Sequence, residues 1–162
     1  MSPRAAYSRL QIALHWLIAI LIAAAWLTHE NMGRALKTRI ETGATGFEGN
    51  TPHVWLGIAV FVLVLIRIVV RRVQGAPGPL PGTTPLLEQA ALWGHRLLYL
   101  LMVLTPALGA VAWNAHSETV GELHETVGGA LMLVALAHAL VAIWHQYVKK
   151  DGSLTRITRP QG

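Results

Sequence analysis

The sequence predicts an all-α membrane protein, a bundle of four transmembrane helices, and three observations carry that prediction. Hydrophobic residues make up 53% of the 162 residues and charged residues only 13%, about half the ~25% of an ordinary soluble domain. Four apolar runs are each long enough to cross a bilayer, which takes about 20 residues. The lysines and arginines lie at the ends of those runs, where they anchor a membrane protein, although a net charge of +5 could otherwise suggest nucleic acid. Ample Leu, Ile and Val exclude disorder. The absence of cysteine excludes disulfides, thiolate-held metals and thioether-attached prosthetic groups.

The four helices are expected at about 10–28, 53–72, 88–113 and 122–149, within a single domain over 1–162. Helix is the expected form, because a lone apolar strand would leave its backbone unpaired in lipid. The first run has the outline of a secretory signal, with Arg4 and Arg9 before it and Ala23 to Ala25 near its end. It is too long for one, and it carries His15. Between the runs the chain is read as loops. Residues 43–52 are rich in Gly, Thr and Asn, and the stretch GAPGPLPGTTP (75–85) has four prolines and reads as an extended connector.

Four spans put both termini and the middle connector on one side. That side holds Arg4, Arg9, Arg71, Arg72, Lys149, Lys150, Arg156 and Arg159. The other has Arg34, Lys37 and Arg39 in its first loop, and none between Trp113 and Leu123. The positive-inside tendency therefore puts both termini in the cytoplasm. Trp26, Trp55 and Trp113 then fall near the outer interface, and Trp16, Trp93 and Trp144 near the inner one.

Eight histidines are the unusual feature, since ionisable residues in a span are costly and point to function. His53 and His124 open the second and fourth helices at the outer level. His15 and His138 share the inner level, with His95 and His145 toward the inner ends. His124 and His138 are fourteen residues apart, about 21 Å of rise and some 40° off one face. That spacing suits two cofactors stacked across the membrane and is too long for one metal ion. Four histidines also have a small residue one turn on: Ala19 after His15, Gly57 after His53, Gly128 after His124, and Ala142 after His138. A porphyrin face lying against a helix needs such a neighbour. Glycine in a helix costs about 1 kcal/mol relative to alanine and should have a reason; the competing reason is close helix packing. His95 is followed by Tyr99 and His145 by Lys149, which would crowd a macrocycle. Depth thus pairs His53 with His124 and His15 with His138 as axial ligands of two haems. Ligands on both faces of the iron imply electron transfer rather than oxygen binding. Arg67, fourteen residues after His53, is either a snorkelling arginine or a counter-charge to a haem propionate or a quinone.

YSRLQIALHW (7–16), PHVWLG at His53, GHRLLYLL at His95 and LHETVGGALMLVALAHALVAIWHQYVKKDGSL from Leu123 together resemble bacterial cytochrome b561, the small di-haem membrane cytochromes. Within that family the chain is most similar to the branch acting as superoxide oxidase. The resemblance implies one haem b on His15 and His138 and another on His53 and His124. It also implies a ubiquinone site at His95 and His145, and a place in the bacterial inner membrane. Residues 114–121 form a shorter outer loop than members of this branch can carry.

The implied function is electron carriage across the membrane to or from ubiquinone, with superoxide as donor: a superoxide:ubiquinone oxidoreductase. The alternatives are a cytochrome b subunit serving a partner dehydrogenase or hydrogenase, and a transporter or structural bundle whose histidines line helix contacts. Arg34, Lys37 and Arg39 could steer the superoxide anion electrostatically, or could balance Glu30, Glu41 and Glu48 in a solvated loop. His29 and His116 are expected to be solvated, and Pro106 and Gly109 to make a packing bend.

Overall fold

The computed structural model describes residues 6–80 and 82–160; Arg4 lies outside the described residues. Four long helices cross the membrane: α1 (Arg9–Leu27), α3 (Pro52–Gln74), α4 (Pro85–Asn114) and α5 (Glu118–Trp144). A short helix, α2 (Met32–Thr42), joins α1 to α3, and a π-helical turn (His145–Lys149) extends α5 before the single-turn helix α6 (Thr155–Thr158). The chain runs up and down, so one end of the bundle gathers the termini and the α3–α4 connector. The other gathers α2 and the α4–α5 turn.

Each long helix begins on a hydroxyl cap. Ser8, Thr51, Thr84 and Ser117 accept from the backbone N–H groups of Gln11, Val54, Leu87 and Val120, satisfying donors that a helix start leaves unpaired. Pro52 and Pro85 sit just inside their helices, where a missing N–H costs nothing. The proline-rich connector accordingly ends at Thr84, and Pro85 belongs to α4. Ser117 starts α5 so soon that only residues 115–117 link it to α4.

α1 packs along α3, α3 along α4, and α4 along α5. Ile18, Val60 and Val64 fill the first of these seams, with Tyr99, Met102 and Val103 against them. Leu98, Leu101 and Leu131 fill the seam between α4 and α5. Among the described residues, no comparable packing joins α5 to α1 or to α3. Large side chains such as Ile20, Val69, Leu133 and Leu136 face outward, which suits lipid and not water.

The expected loop between the first two spans is largely a helix. In α2, Met32, Ala35, Leu36 and Ile40 make an apolar stripe that packs on Ala112, Trp113 and Val120. Trp113 is therefore 5% exposed and a core residue, not an interfacial anchor; its indole N–H donates to Asn50 Oδ1 (2.8 Å). The other five tryptophans keep more than two-fifths of their surface exposed.

Candidate haem-binding site

At the α2 end, His53 on α3 and His124 on α5 face each other, with ring centroids 5.9 Å apart and planes at 84°. The Nδ1 of each donates to a backbone carbonyl: His53 to Ala25 on α1 (2.8 Å) and His124 to Thr105 on α4 (2.8 Å). A carbonyl accepts only, so the proton is on Nδ1, and Nε2 keeps its lone pair. That is how proteins orient a ligating imidazole.

The surroundings leave room beside this pair. A Cβ built on Gly57, one turn after His53, meets nothing within 4 Å. At Gly128, one turn after His124, it meets only the Thr105 methyl, at 3.6 Å. The Thr105 hydroxyl is buried and has no hydrogen-bond partner among the described residues. Gly109 has a sharper role than the expected packing bend: a Cβ there would sit 3.0 Å from His124 Cε1 and 3.1 Å from its Nδ1. It makes the space that seats His124. Pro106, in the same stretch of α4, removes one backbone donor from the helix ladder.

At the terminal end the rings of His95 and His138 lie 5.1 Å apart at 77°. His95 Nδ1 donates to the Ala91 carbonyl one turn back (2.6 Å). His15 stands edge-on to Trp16 and within electrostatic reach of Arg67, His138 and His95. Among the described residues His145 contacts Trp144 and Asp151, and makes no ring or hydrogen-bond contact with His95. Its Nδ1 meets Asp151 Oδ2 at 2.5 Å, in the π turn where the chain leaves α5. Desolvation pushes the Asp151 carboxyl up, but hydrogen bonds from His145 and Ser153, with the attraction of His145, outweigh it and hold the carboxyl below its ordinary value.

Arg67 does not snorkel. It is 9% exposed, donating from Nε to the Tyr99 hydroxyl (3.1 Å) and from Nη1 to the Gln11 carbonyl (2.6 Å). Gln11 is itself buried and donates to the Gly75 carbonyl (2.8 Å), so α1, α3 and α4 are tied together around one guanidinium. No carboxylate pairs with Arg67 among the described residues, which leaves its positive charge available to an anion.

Three basic residues expected on the far loop behave differently from one another. Arg34 and Lys37 are exposed on α2. Arg39 is 3% exposed, donating to the carbonyls of Trp113 (2.9 Å), Glu48 (2.5 Å) and Gly46 (3.1 Å). It pins the loop end and cannot serve a surface funnel. His116 is likewise no solvated bystander: it adopts a positive φ of 54° and its Nε2 donates to the Ala44 carbonyl (2.9 Å). His29 donates to the Trp26 carbonyl and stacks on that indole.

Facing imidazoles from different helices inside four apolar spans fit a membrane cytochrome of the b type. Haem suits the His53–His124 pair, which offers two nitrogens for two axial positions; at the other end the ring facing His138 is that of His95, not His15. Among the described residues no three His, Asp or Glu side chains converge as a bare ion would require. The family model described as prokaryotic cytochrome b561 matches residues 6–160, and the chain belongs to that family. Cytochrome b562 of Cereibacter sphaeroides is 43% identical over 161 residues, 99% of this chain and 100% of that protein. The probable superoxide oxidase CybB of Yersinia pestis is 28% identical, covering 93% and 94% of the two chains. Cytochrome b561 homolog 2 of Escherichia coli is 24% identical, covering 93% and 90%.

Proposed function

We propose that this protein carries electrons through two haems b, from superoxide at the α2 end to ubiquinone at the terminal end, as a superoxide:ubiquinone oxidoreductase. The observation that carries the reading is the His53–His124 pair, each Nδ1 bound to a carbonyl and each Nε2 free. His53 and His124 hold one haem, and His15 and His138 the other. Bound there, haem supplies a one-electron iron couple. The Ala25 and Thr105 carbonyls fix the ring planes of the first pair. Arg67 offsets the negative charge of a propionate or of the quinone head group. His95, in contact with His138, and His145, oriented by Asp151, hydrogen-bond the quinone carbonyls and relay protons. Two superoxide anions each give up one electron and leave as dioxygen, while one quinone takes two electrons and two protons to become quinol. Basic residues crowd the terminal end, which supports a cytoplasmic location for both termini and insertion in the inner membrane. Superoxide as donor is supported by the Yersinia relative.

A second reading, a cytochrome b subunit taking electrons from a partner redox protein, is favoured by one observation. The α2 end exposes Glu30, Glu41, Glu48, Glu118, Glu122 and Glu125 against Arg34 and Lys37. An acidic face suits a basic protein better than a small anion.

A reduced-minus-oxidised absorption spectrum tests the haem assignment, and a missing b-type band would end both readings. His53→Ala or His124→Ala should lower the haem content from two per chain to one, as should His15→Ala or His138→Ala. His95→Ala should keep both haems; a fall to one would show that His95 is a ligand. A superoxide source added to the sealed, reconstituted protein should then drive quinone reduction in the parent and not in the double variant His95→Ala/His145→Ala.

A further inference from the structure

Three arginines at the terminal end are arranged unlike Arg39 and Arg67. Arg71 and Arg72 on α3 and Arg96 on α4 line one open cavity of about 430 Å³, completed by Ile68, Ala76 and Tyr99. Its lining has three guanidiniums and no carboxylate. Two of the guanidiniums lie over aromatic faces, Arg71 at 5.9 Å from the Tyr99 centroid and Arg96 at 4.8 Å from the Trp93 centroid. Such stacking fixes a guanidinium plane and leaves its in-plane N–H edge to bind an oxyanion in two-pronged fashion. Arg39 uses its donors on carbonyls within the chain, and Arg67 on a carbonyl and the Tyr99 hydroxyl. Among the described residues, none of the three cavity arginines has an acidic partner.

We infer that the groove between α3 and α4 binds a phosphate oxyanion, that of an anionic phospholipid headgroup. The groove lies where both helices reach the interface, beside the half-exposed Trp93. Outward-facing Val69 and Leu100 on the same two helices give acyl chains an apolar wall to follow. Basic pockets between transmembrane helices select anionic headgroups by this chemistry, and phosphate matches the guanidinium fork. The inference is independent of what the histidines bind, because no residue assigned to iron or quinone lines the cavity.

Native mass spectrometry of the full-length protein, released from bilayers of phosphatidylcholine with or without phosphatidylglycerol, reads the retained lipid directly. The parent should retain phosphatidylglycerol over phosphatidylcholine by about tenfold. Arg71→Gln/Arg72→Gln/Arg96→Gln should bring the two lipids to parity. Lys149→Gln/Lys150→Gln/Arg159→Gln removes the same charge at the same end, outside the cavity, and should keep the preference. Arg96→Gln alone changes one exposed side chain and should reduce the preference part of the way, so the test survives if the triple variant does not fold. Equal preference in the parent and the cavity variants would overturn the site, as would equal loss in the control triple. A rise in melting temperature with inorganic phosphate at matched ionic strength, and none with phosphatidylglycerol, would overturn the lipid source.

Discussion

A buried arginine must find acceptors for its N–H groups, and the two in this bundle find them mainly on carbonyls. Arg39 satisfies three carbonyls from two separate stretches of chain, Gly46 and Glu48 before α3 and Trp113 at the end of α4. Its guanidinium also stacks at 4.7 Å over the Trp113 ring. Replacing it with methionine keeps much of the apolar stem but strands those carbonyls. Hydrogen bonds to charged groups contribute ~1.5–3 kcal/mol each and are not additive, so Arg39→Met should cost about 3 kcal/mol. Thermal unfolding of the purified protein checks this, with the exposed Lys37→Gln as the variant that should melt like the parent. None of this was legible in the sequence. Arg39 stands in a run with Arg34 and Lys37, and its acceptors are backbone atoms up to 74 residues away, which have no sequence signature. Arg67 was half legible: its depth follows from counting along an apolar run, whereas its anchors on Tyr99 and the Gln11 carbonyl do not. The histidine positions were legible because charge-poor spans make each imidazole conspicuous. Their hydrogen bonds to Ala25 and Thr105 were not, since a carbonyl belongs to every residue.

Elements carry the next set of consequences. The four long helices were readable because lipid demands unbroken apolar runs, and that constraint does not bear on α2, whose basic residues obscure a narrow apolar stripe. Glycines divide in the same way. Gly57 has nothing within 4 Å of an added Cβ, so in the chain alone Gly57→Ala should gain up to about 1 kcal/mol of helix propensity. If a porphyrin face lies against that turn, the same methyl, or more strongly the side chain of Gly57→Leu, should lower haem incorporation at the His53–His124 pair. Apoprotein melting and haem-to-protein ratio, measured together, separate the two effects; full haem content in both variants would remove that face of α3 from the site. The π turn after α5 offers a pH test. Asp151 is held below its ordinary pKa, so its contribution is complete above the unfolded-state value near 4. It is lost as pH falls through the lower folded-state value. The two side chains are 23% and 26% exposed, which limits the effect to about 1 kcal/mol or less. Asp151→Asn should therefore lower the melting temperature slightly near neutrality and flatten the acid limb, so that variant and parent converge at low pH.

Charge at the scale of the whole molecule is strongly divided. Arg9, Arg71, Arg72, Arg96, Lys149, Lys150 and Arg159 cluster at the terminal end, while the exposed charges of the α2 end are mostly glutamates. Several of these glutamates have a local reason, because Glu118 lies in the first turn of α5, where the helix dipole favours negative charge. Their summed field is nevertheless negative, and it faces whichever donor reaches the His53–His124 pair. A small anion approaching such a face is slowed by repulsion, and added salt screens that repulsion over roughly 10 Å at 0.1 M. The rate of reduction by superoxide should therefore rise with ionic strength, and Glu118→Gln/Glu122→Gln/Glu125→Gln should raise it at low salt while weakening its salt dependence. A basic protein donor should show the opposite sign on both counts, because its approach is accelerated by the same field. Stopped-flow reduction at several salt concentrations reads that sign directly. A superoxide rate that falls with salt would mean that Arg34 and Lys37 dominate the local path despite the surrounding acids, and would restore the steering role that the burial of Arg39 removes from the third member of that cluster. A rate that rises with salt would mean that superoxide, if it is the donor, is accepted against the field. The driving force would then lie in the electron acceptor beneath the surface and not in its capture.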